Sequence, residues 1–201
     1  NSVIRTQRRS MLSNYQLIVE NSEIVDLNVN HSFSFLNVAK GTFADLIKIS
    51  NSKFKNITGS ILSLDKESDD YGIYNAEYVI IRNSIFESVE GDLVDFYRGG
   101  TDESTFGPHF ELSNSYIRQV GFGERNKSQS SIFLHGVQVS DIQNNRFVAS
   151  SAIKVFHTVG EPVTKITNNQ FIDTPKIAVR ELNSDKQNTA LLSGNDYRQE
   201  E

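Results

Sequence analysis

Tyr97, Arg98, His135 and His157 are the side chains in this sequence best suited to grip a ligand. Each follows one of a set of short apolar pairs: Leu62/Leu64, Val94/Phe96, Ile132/Leu134, Ile153/Val155 and Ile177/Val179. Apolar residues two apart mark strands with one buried face. With the pairs aligned as neighbouring strands, the residues that follow form a column of Asp65, Tyr97, His135, Phe156 and Arg180. One step on lie Lys66, Arg98, Gly136, His157 and Glu181. Read as an outward face, such a column could hold an extended sugar chain. Tyr97 and Phe156 would stack on ring faces, and Arg98 or Arg180 would pair with carboxylates. The same column could instead pack against a loop or a neighbouring domain, and both readings stay open.

The element that must position these groups is an internal repeat. A unit Asn-(Ser/Asn)-x-apolar recurs as Asn21-Ser22-Glu23-Ile24, Asn51-Ser52-Lys53-Phe54, Asn83-Ser84-Ile85-Phe86 and Asn114-Ser115-Tyr116-Ile117. It continues as Asn144-Asn145-Arg146-Phe147, Asn168-Asn169-Gln170-Phe171 and the degraded Gly194-Asn195-Asp196-Tyr197. Successive copies start 30, 32, 31, 30, 24 and 26 residues apart. Two residues before each copy stands an aliphatic: Val19, Ile49, Ile81, Leu112, Ile142, Ile166 and Leu192. Several copies add Leu17, Ile47, Val79 or Phe110 two positions earlier. A unit of this length with two or three short strands cannot bury its apolar face alone, so the copies must stack. The expected fold is all-β, a right-handed parallel β-helix of about seven coils forming one domain over 1–201, a rod on the order of 35 Å long at ~4.8 Å per coil. Asn suits the corner because its amide can bond along the stack and its backbone tolerates left-handed angles. The leucine-rich frame, the propeller Trp-Asp mark and a helical period are all missing.

Composition narrows the function. No apolar run nears the ~20 residues that cross a bilayer. The chain has no cysteine, which excludes a disulfide scaffold and thiolate metal sites. A net charge of -5 argues against nucleic acid as partner, with only Arg5-Thr6-Gln7-Arg8-Arg9 locally basic. The opening Asn1 and the lack of a signal-peptide pattern suggest a mature form or an excerpt of a longer chain. Loops are expected at Ser68-Asp69-Asp70-Tyr71-Gly72, at 99–108 and at 121–127, with residues 198–201 frayed. His spacing does not suit zinc, and Gly99-Gly100 lacks the context of a dinucleotide site. Thr101-Asp102-Glu103 could bind calcium or simply fold its loop. Asn56-Ile57-Thr58 and Asn126-Lys127-Ser128 match the glycosylation sequon, which is common by chance.

The block Val94-Asp95-Phe96-Tyr97-Arg98-Gly99-Gly100-Thr101-Asp102-Glu103-Ser104-Thr105-Phe106-Gly107-Pro108 resembles the carboxy-terminal part of polysaccharide lyase family 6, the alginate lyases related to chondroitinase B. Leu134-His135-Gly136-Val137-Gln138 and His157-Thr158-Val159-Gly160-Glu161-Pro162 share that resemblance. It implies β-elimination on an anionic uronate polysaccharide. Calcium neutralises the carboxylate, a lysine takes the C5 proton and an arginine assists the leaving oxygen. It also implies a preceding N-terminal β-helix that carries this machinery, a periplasmic or secreted bacterial location, and no membrane partner; a homodimer stays open.

Such an elimination needs charge neutralisation, a nearby base and a donor for the leaving group. A lysine or arginine serves as base only where its neighbours lower its pKa. The acidic calcium cluster with its lysine and arginine is not found in this sequence, so no residue here is assigned as catalytic or as a metal ligand. The expected substrate-binding set is Tyr97, Arg98, His135 and His157. The leading reading is an accessory second β-helix of a calcium-dependent lyase that supplies architecture and part of a substrate groove. The alternative is a non-catalytic β-helix for glycan binding or domain docking. A hydrolase-like β-helix would need paired carboxylates, for which Asp65 and Asp95 are the candidates.

Overall fold

The computed structural model describes residues 2–7, 15–66, 73–99, 107–158, 160–182 and 190–199. The polar stretch 67–72, most of the loop 99–108 and the Thr101-Asp102-Glu103 segment lie outside the described residues. Each coil contributes three short strands. The first three coils hold β1 (Ser2–Arg5), β2 (Gln16–Glu20), β3 (Glu23–Leu27), β4 (Ser34–Val38), β5 (Ala44–Ser50), β6 (Lys53–Ile57), β7 (Ser60–Leu64), β8 (Ala76–Arg82) and β9 (Ile85–Val89). The next two hold β10 (Val94–Tyr97), β11 (His109–Ser113), β12 (Tyr116–Val120), β13 (Ile132–His135), β14 (Val139–Gln143) and β15 (Arg146–Val148). The last two hold β16 (Ile153–His157), β17 (Val163–Thr167), β18 (Gln170–Ile172), β19 (Ala178–Glu181), β20 (Ala190–Ser193) and β21 (Asp196–Arg198).

Every third strand pairs in parallel. The first sheet runs β1-β4-β7-β10-β13-β16-β19, and the other two follow the same rule from β2 and from β3, each with seven strands. Seven strands per sheet are separated by six steps, so the solenoid makes about six full turns, slightly short of the expected seven. The aliphatic residues before each corner form one column, Val19-Ile49-Ile81-Leu112-Ile142-Ile166-Leu192. The apolar residue that ends each unit forms another: Ile24-Phe54-Phe86-Ile117-Phe147-Phe171-Tyr197. Within it Phe54 stacks on Phe86 with ring centres 5.3 Å apart, and Phe147 on Phe171 at 5.0 Å. These rings are sealed from solvent in the interior coils, while Leu192 and Tyr197 in the last coil are exposed.

The corner divides two jobs between two residues. The first residue of each unit takes the left-handed backbone: φ is +51° at Asn21, +49° at Asn51, +50° at Asn83, +52° at Asn114 and +57° at Asn144 and Asn168. The second residue builds the ladder. Ser52 N–H donates to Ser84 Oγ at 3.2 Å, Ser84 N–H to Ser115 Oγ at 3.1 Å and Ser115 N–H to Asn145 Oδ1 at 2.9 Å. From Asn145 onward the carboxamides take over. Asn145 Nδ2 donates to Asn169 Oδ1 at 3.0 Å and to Leu112 O at 2.9 Å, and Asn169 Nδ2 donates to Asn195 Oδ1 at 3.1 Å.

Three features depart from the sequence reading. Strands β1 and β4 carry no apolar pair flagged in advance, because Ser34, Phe35 and Leu36 are buried in succession and break the alternation. Arg198 is held in β21 opposite Ile172 rather than frayed. The apolar column ahead of the corner turns polar at Ser140 and Thr164, both buried, where an inward histidine takes up the space.

Truncating Phe147→Ala removes a ring from the middle of the stack and should cost about 3–5 kcal/mol in denaturant unfolding. Asn169→Ala should cost about 1–3 kcal/mol, because it strips the acceptor from the buried N–H groups of Asn145.

Candidate functional site

The outer side of the first sheet carries the expected column, in the expected register. Tyr97 pairs with His135, His135 with Phe156, and Phe156 with Arg180. The rings stack along the solenoid axis. Tyr97 and His135 lie 4.1 Å apart and nearly parallel at 9°, and Phe156 meets His135 at 6.3 Å. Lys66 Nζ sits 4.7 Å from the Tyr97 ring centre, and the Arg180 guanidinium 5.6 Å from that of Phe156. The result is an aromatic ladder capped by a cation at each end, an arrangement favoured by the ring quadrupole. Both faces of Tyr97 are therefore occupied, by Lys66 and by His135, so that ring does not offer a stacking platform. Its edge and the half-buried rings of Phe133 and Phe156 are what the face presents.

Strand alternation separates the four expected contact residues. His135 points outward and is half-buried, Tyr97 is 9% exposed, and Arg98 and His157 lie on the inner side at 0% and 1%. The step beyond an outward residue is an inward one, which is why Arg98, Gly136 and His157 of the second predicted column sink into the wall, while Lys66 and Glu181 at its two ends stay exposed. His135 Nδ1 lies 3.0 Å from Arg98 O, and because a carbonyl only accepts, Nδ1 carries the proton and donates. Nε2 is then the atom His135 turns away from the backbone. His157 bridges two sheets: Nδ1 donates to Glu181 Oε1, and Nε2 sits 2.8 Å from Thr164 Oγ1. Gly136 makes the contact beneath them possible. Its φ is +71°, and a Cβ there would come within 2.7 Å of Arg98 O.

Beside the ladder the sheet holds a carboxylate group that sequence reasoning flagged only in part. Asp95 stands in register with Ser63 on one side and Phe133 on the other. Burial, then the charges of Asp92 and Asp65, push its carboxyl up to about 7. Asp65 accepts from Asn37 Nδ2 at 2.8 Å, which fixes it at the edge of the group. Asp92, 5% exposed, is also raised by burial, although the hydroxyls of Ser128 and Ser130 donate to it and oppose that rise. Asp92 was missed because its partners lie 36 and 38 residues away, and nothing but the length of the loop near 121–127 hinted at the contact. A depression of about 380 Å³ opens here, bordered by Asp65, Lys66, Asp95, Tyr97, Lys127 and Phe133. Among the described residues no group of three or more His, Cys, Asp or Glu side chains is placed to hold a metal ion. The arrangement can bind: cations, a partly protonated carboxyl and ring edges line one shallow groove.

No protein-family model matches the chain, and no curated protein sequence matches it significantly. Solved structures do. The PL6 family alginate lyase AlyGC superposes with a TM-score of 0.92 and 45% sequence identity, covering 98% of this chain and 27% of the lyase. A single-residue variant of the same enzyme gives the same figures. This chain thus spans just over a quarter of the length of the lyase it matches. With three parallel seven-stranded sheets and nearly half of its residues shared, the chain is a parallel β-solenoid whose resemblance to part of a polysaccharide lyase family 6 alginate lyase is shown.

Proposed function

We propose that this chain is the second, carboxy-terminal β-helix of a periplasmic or secreted lyase that cleaves an alginate-like uronate polymer by β-elimination. In this reading it supplies architecture and one wall of the substrate groove. The proton-abstracting groups, and the calcium that neutralises the uronate in the parent enzyme, sit on the preceding β-helix. The observation that carries the reading is the cation-capped ladder of Lys66, Tyr97, His135, Phe156 and Arg180 on the outer face of a solenoid so similar to that lyase. Lys66 and Arg180 lie at the two ends of the ladder and place positive charge along this face for uronate carboxylates.

A second reading, domain docking, is favoured by the ends of the stack. Ile4, Leu17, Val19, Ile24 and Leu27 in the first coil are only partly buried, and Leu192 and Tyr197 in the last are exposed. Solenoid ends of this kind need covering, and a preceding β-helix would cover one of them.

Incubation of the chain with alginate distinguishes these readings. Binding without the ultraviolet absorbance of an unsaturated uronate product is expected. Arg180→Ala and His135→Ala should each weaken that binding about tenfold, or about 1.4 kcal/mol. Arg98→Ala, at a buried position, should lower the unfolding midpoint instead. Product formed by this chain alone would contradict the accessory role, and a complete lack of binding would favour docking.

A further inference from the structure

A second hollow, about 500 Å³, lies under the loop 121–130 where it folds back over the second and third coils. It shares Asp95 and Lys127 with the depression beside Tyr97, so the two form one continuous cleft. The loop is built rather than draped. Gly121 has φ +78°, and a Cβ there would meet Ser130 O at 2.1 Å. Gly123 N–H donates to Glu90 O at 2.9 Å, and Asn126 Nδ2 donates to Ser130 O at 2.8 Å. The hydroxyls of Ser128 and Ser130 anchor on Asp92, and Lys154 Nζ donates to Ser128 O at 2.6 Å. A wall fixed in this way loses little entropy when a ligand arrives.

The chemistry of the cleft is asymmetric. From the loop, Arg125 and Lys127 line it, both exposed, and among the described residues neither is ion-paired. On the floor, His31 and Glu90 already pair at 2.8 Å, and Asp92 is satisfied by the two serines. Two unpaired cations above a floor of hydroxyl-matching groups fit a ring that bears one carboxylate and several hydroxyls.

We propose that this cleft is a binding site for a single acidic sugar unit, with the carboxylate on Lys127 and Arg125 and the hydroxyls on the His31–Glu90 pair and Asp95. The site adjoins the end of the aromatic ladder at Lys66 and Tyr97 and rests on the reading that this chain meets an anionic polysaccharide. Asp95 would repel such a ligand if it were fully ionised. With its carboxyl up at about 7, a large fraction is protonated near neutral pH and can donate a hydrogen bond. An anion bound beside Asp95 favours its protonated form further, so binding must tighten as pH falls from 8 to 6. The charged groups facing Asp95 are Asp92 on its own turn, Asp65 and Lys66 after β7, Lys127 and Arg125 on the loop, and the His31–Glu90 pair across the hollow. A variant at Asp95 assigns the effect to that carboxyl.

The test is calorimetric titration of the chain with a saturated mannuronate tetrasaccharide at pH 6 and pH 8. Wild type is expected to bind about five- to tenfold more tightly at pH 6. Lys127→Ala and Arg125→Ala should each weaken binding about tenfold, with the unfolding midpoint unchanged because both side chains are exposed. Asp95→Asn should bind with the same affinity at both pH values, whereas a neutral mannose tetrasaccharide should not bind. Undiminished binding by Lys127→Ala together with weakened binding by His135→Ala would overturn this site and leave the ladder reading standing. A wild-type chain that binds no uronate oligomer at either pH would overturn both. A pH dependence that persists in Asp95→Asn would remove Asp95 from the site.

Discussion

The structure depends on the corner where each coil turns from its second strand to its third. Two adjacent residues meet two demands that one residue could not meet together. The left-handed backbone of the first lets the chain turn sharply, and asparagine and glycine accept that conformation at the least steric cost. The side chain of the second accepts the N–H of the same residue in the coil before it, which pairs the corner donors of Ser22, Ser52, Ser84, Ser115, Asn145 and Asn169. The ladder passes from serine to asparagine between Ser115 and Asn145, and the carboxamides add bonds to Leu112 O and Ile142 O. Each rung fixes the vertical position of one coil on the next, and with it the register of all three sheets.

Everything on the outer face inherits that register. Tyr97 and His135 are 38 residues apart in sequence but neighbours in the first sheet, because the corners on either side hold their coils in step. The ring ladder, the cations at its ends and the position of Asp95 between Ser63 and Phe133 follow from the same alignment. A slip of one residue in a strand would exchange the two faces. It would bring Arg98 and His157 outward and turn Tyr97 and His135 into the core. The match to a polysaccharide lyase and the groove on this face thus rest on one geometric fact about the corners.

The stacking of the coils, the parallel sheets and the pairing of Tyr97 through Arg180 were legible in the sequence. Period-two apolar pairs and the Asn marks fix both ends of each coil. What the rings do with their faces was not legible. Strand spacing places Tyr97 beside His135, but only the side-chain torsions decide whether they stack on each other or open toward solvent. The inward turn of His157 left a trace, since Ser140 and Thr164 interrupt an otherwise apolar column, and that break was the available clue. Asp92 had no such signal. Its anchors, Ser128 and Ser130, sit in a loop whose fold over the third coil is set by contacts without periodicity. In β4, Phe35 turns inward to meet Phe54 edge-on at 5.1 Å, which hides the alternation that would have marked the strand.

Register is the claim beneath all the others, and proton–proton contacts measure it directly. In a two-dimensional NOE spectrum of the aromatic region, the Tyr97 ring protons should show strong cross-peaks to the His135 ring and none to aromatic residues outside the first sheet. Stacking at 4.1 Å across 38 residues of sequence requires this result. Cross-peaks that link Tyr97 to no ring in the neighbouring coil would mean that the coils are not stacked in this register.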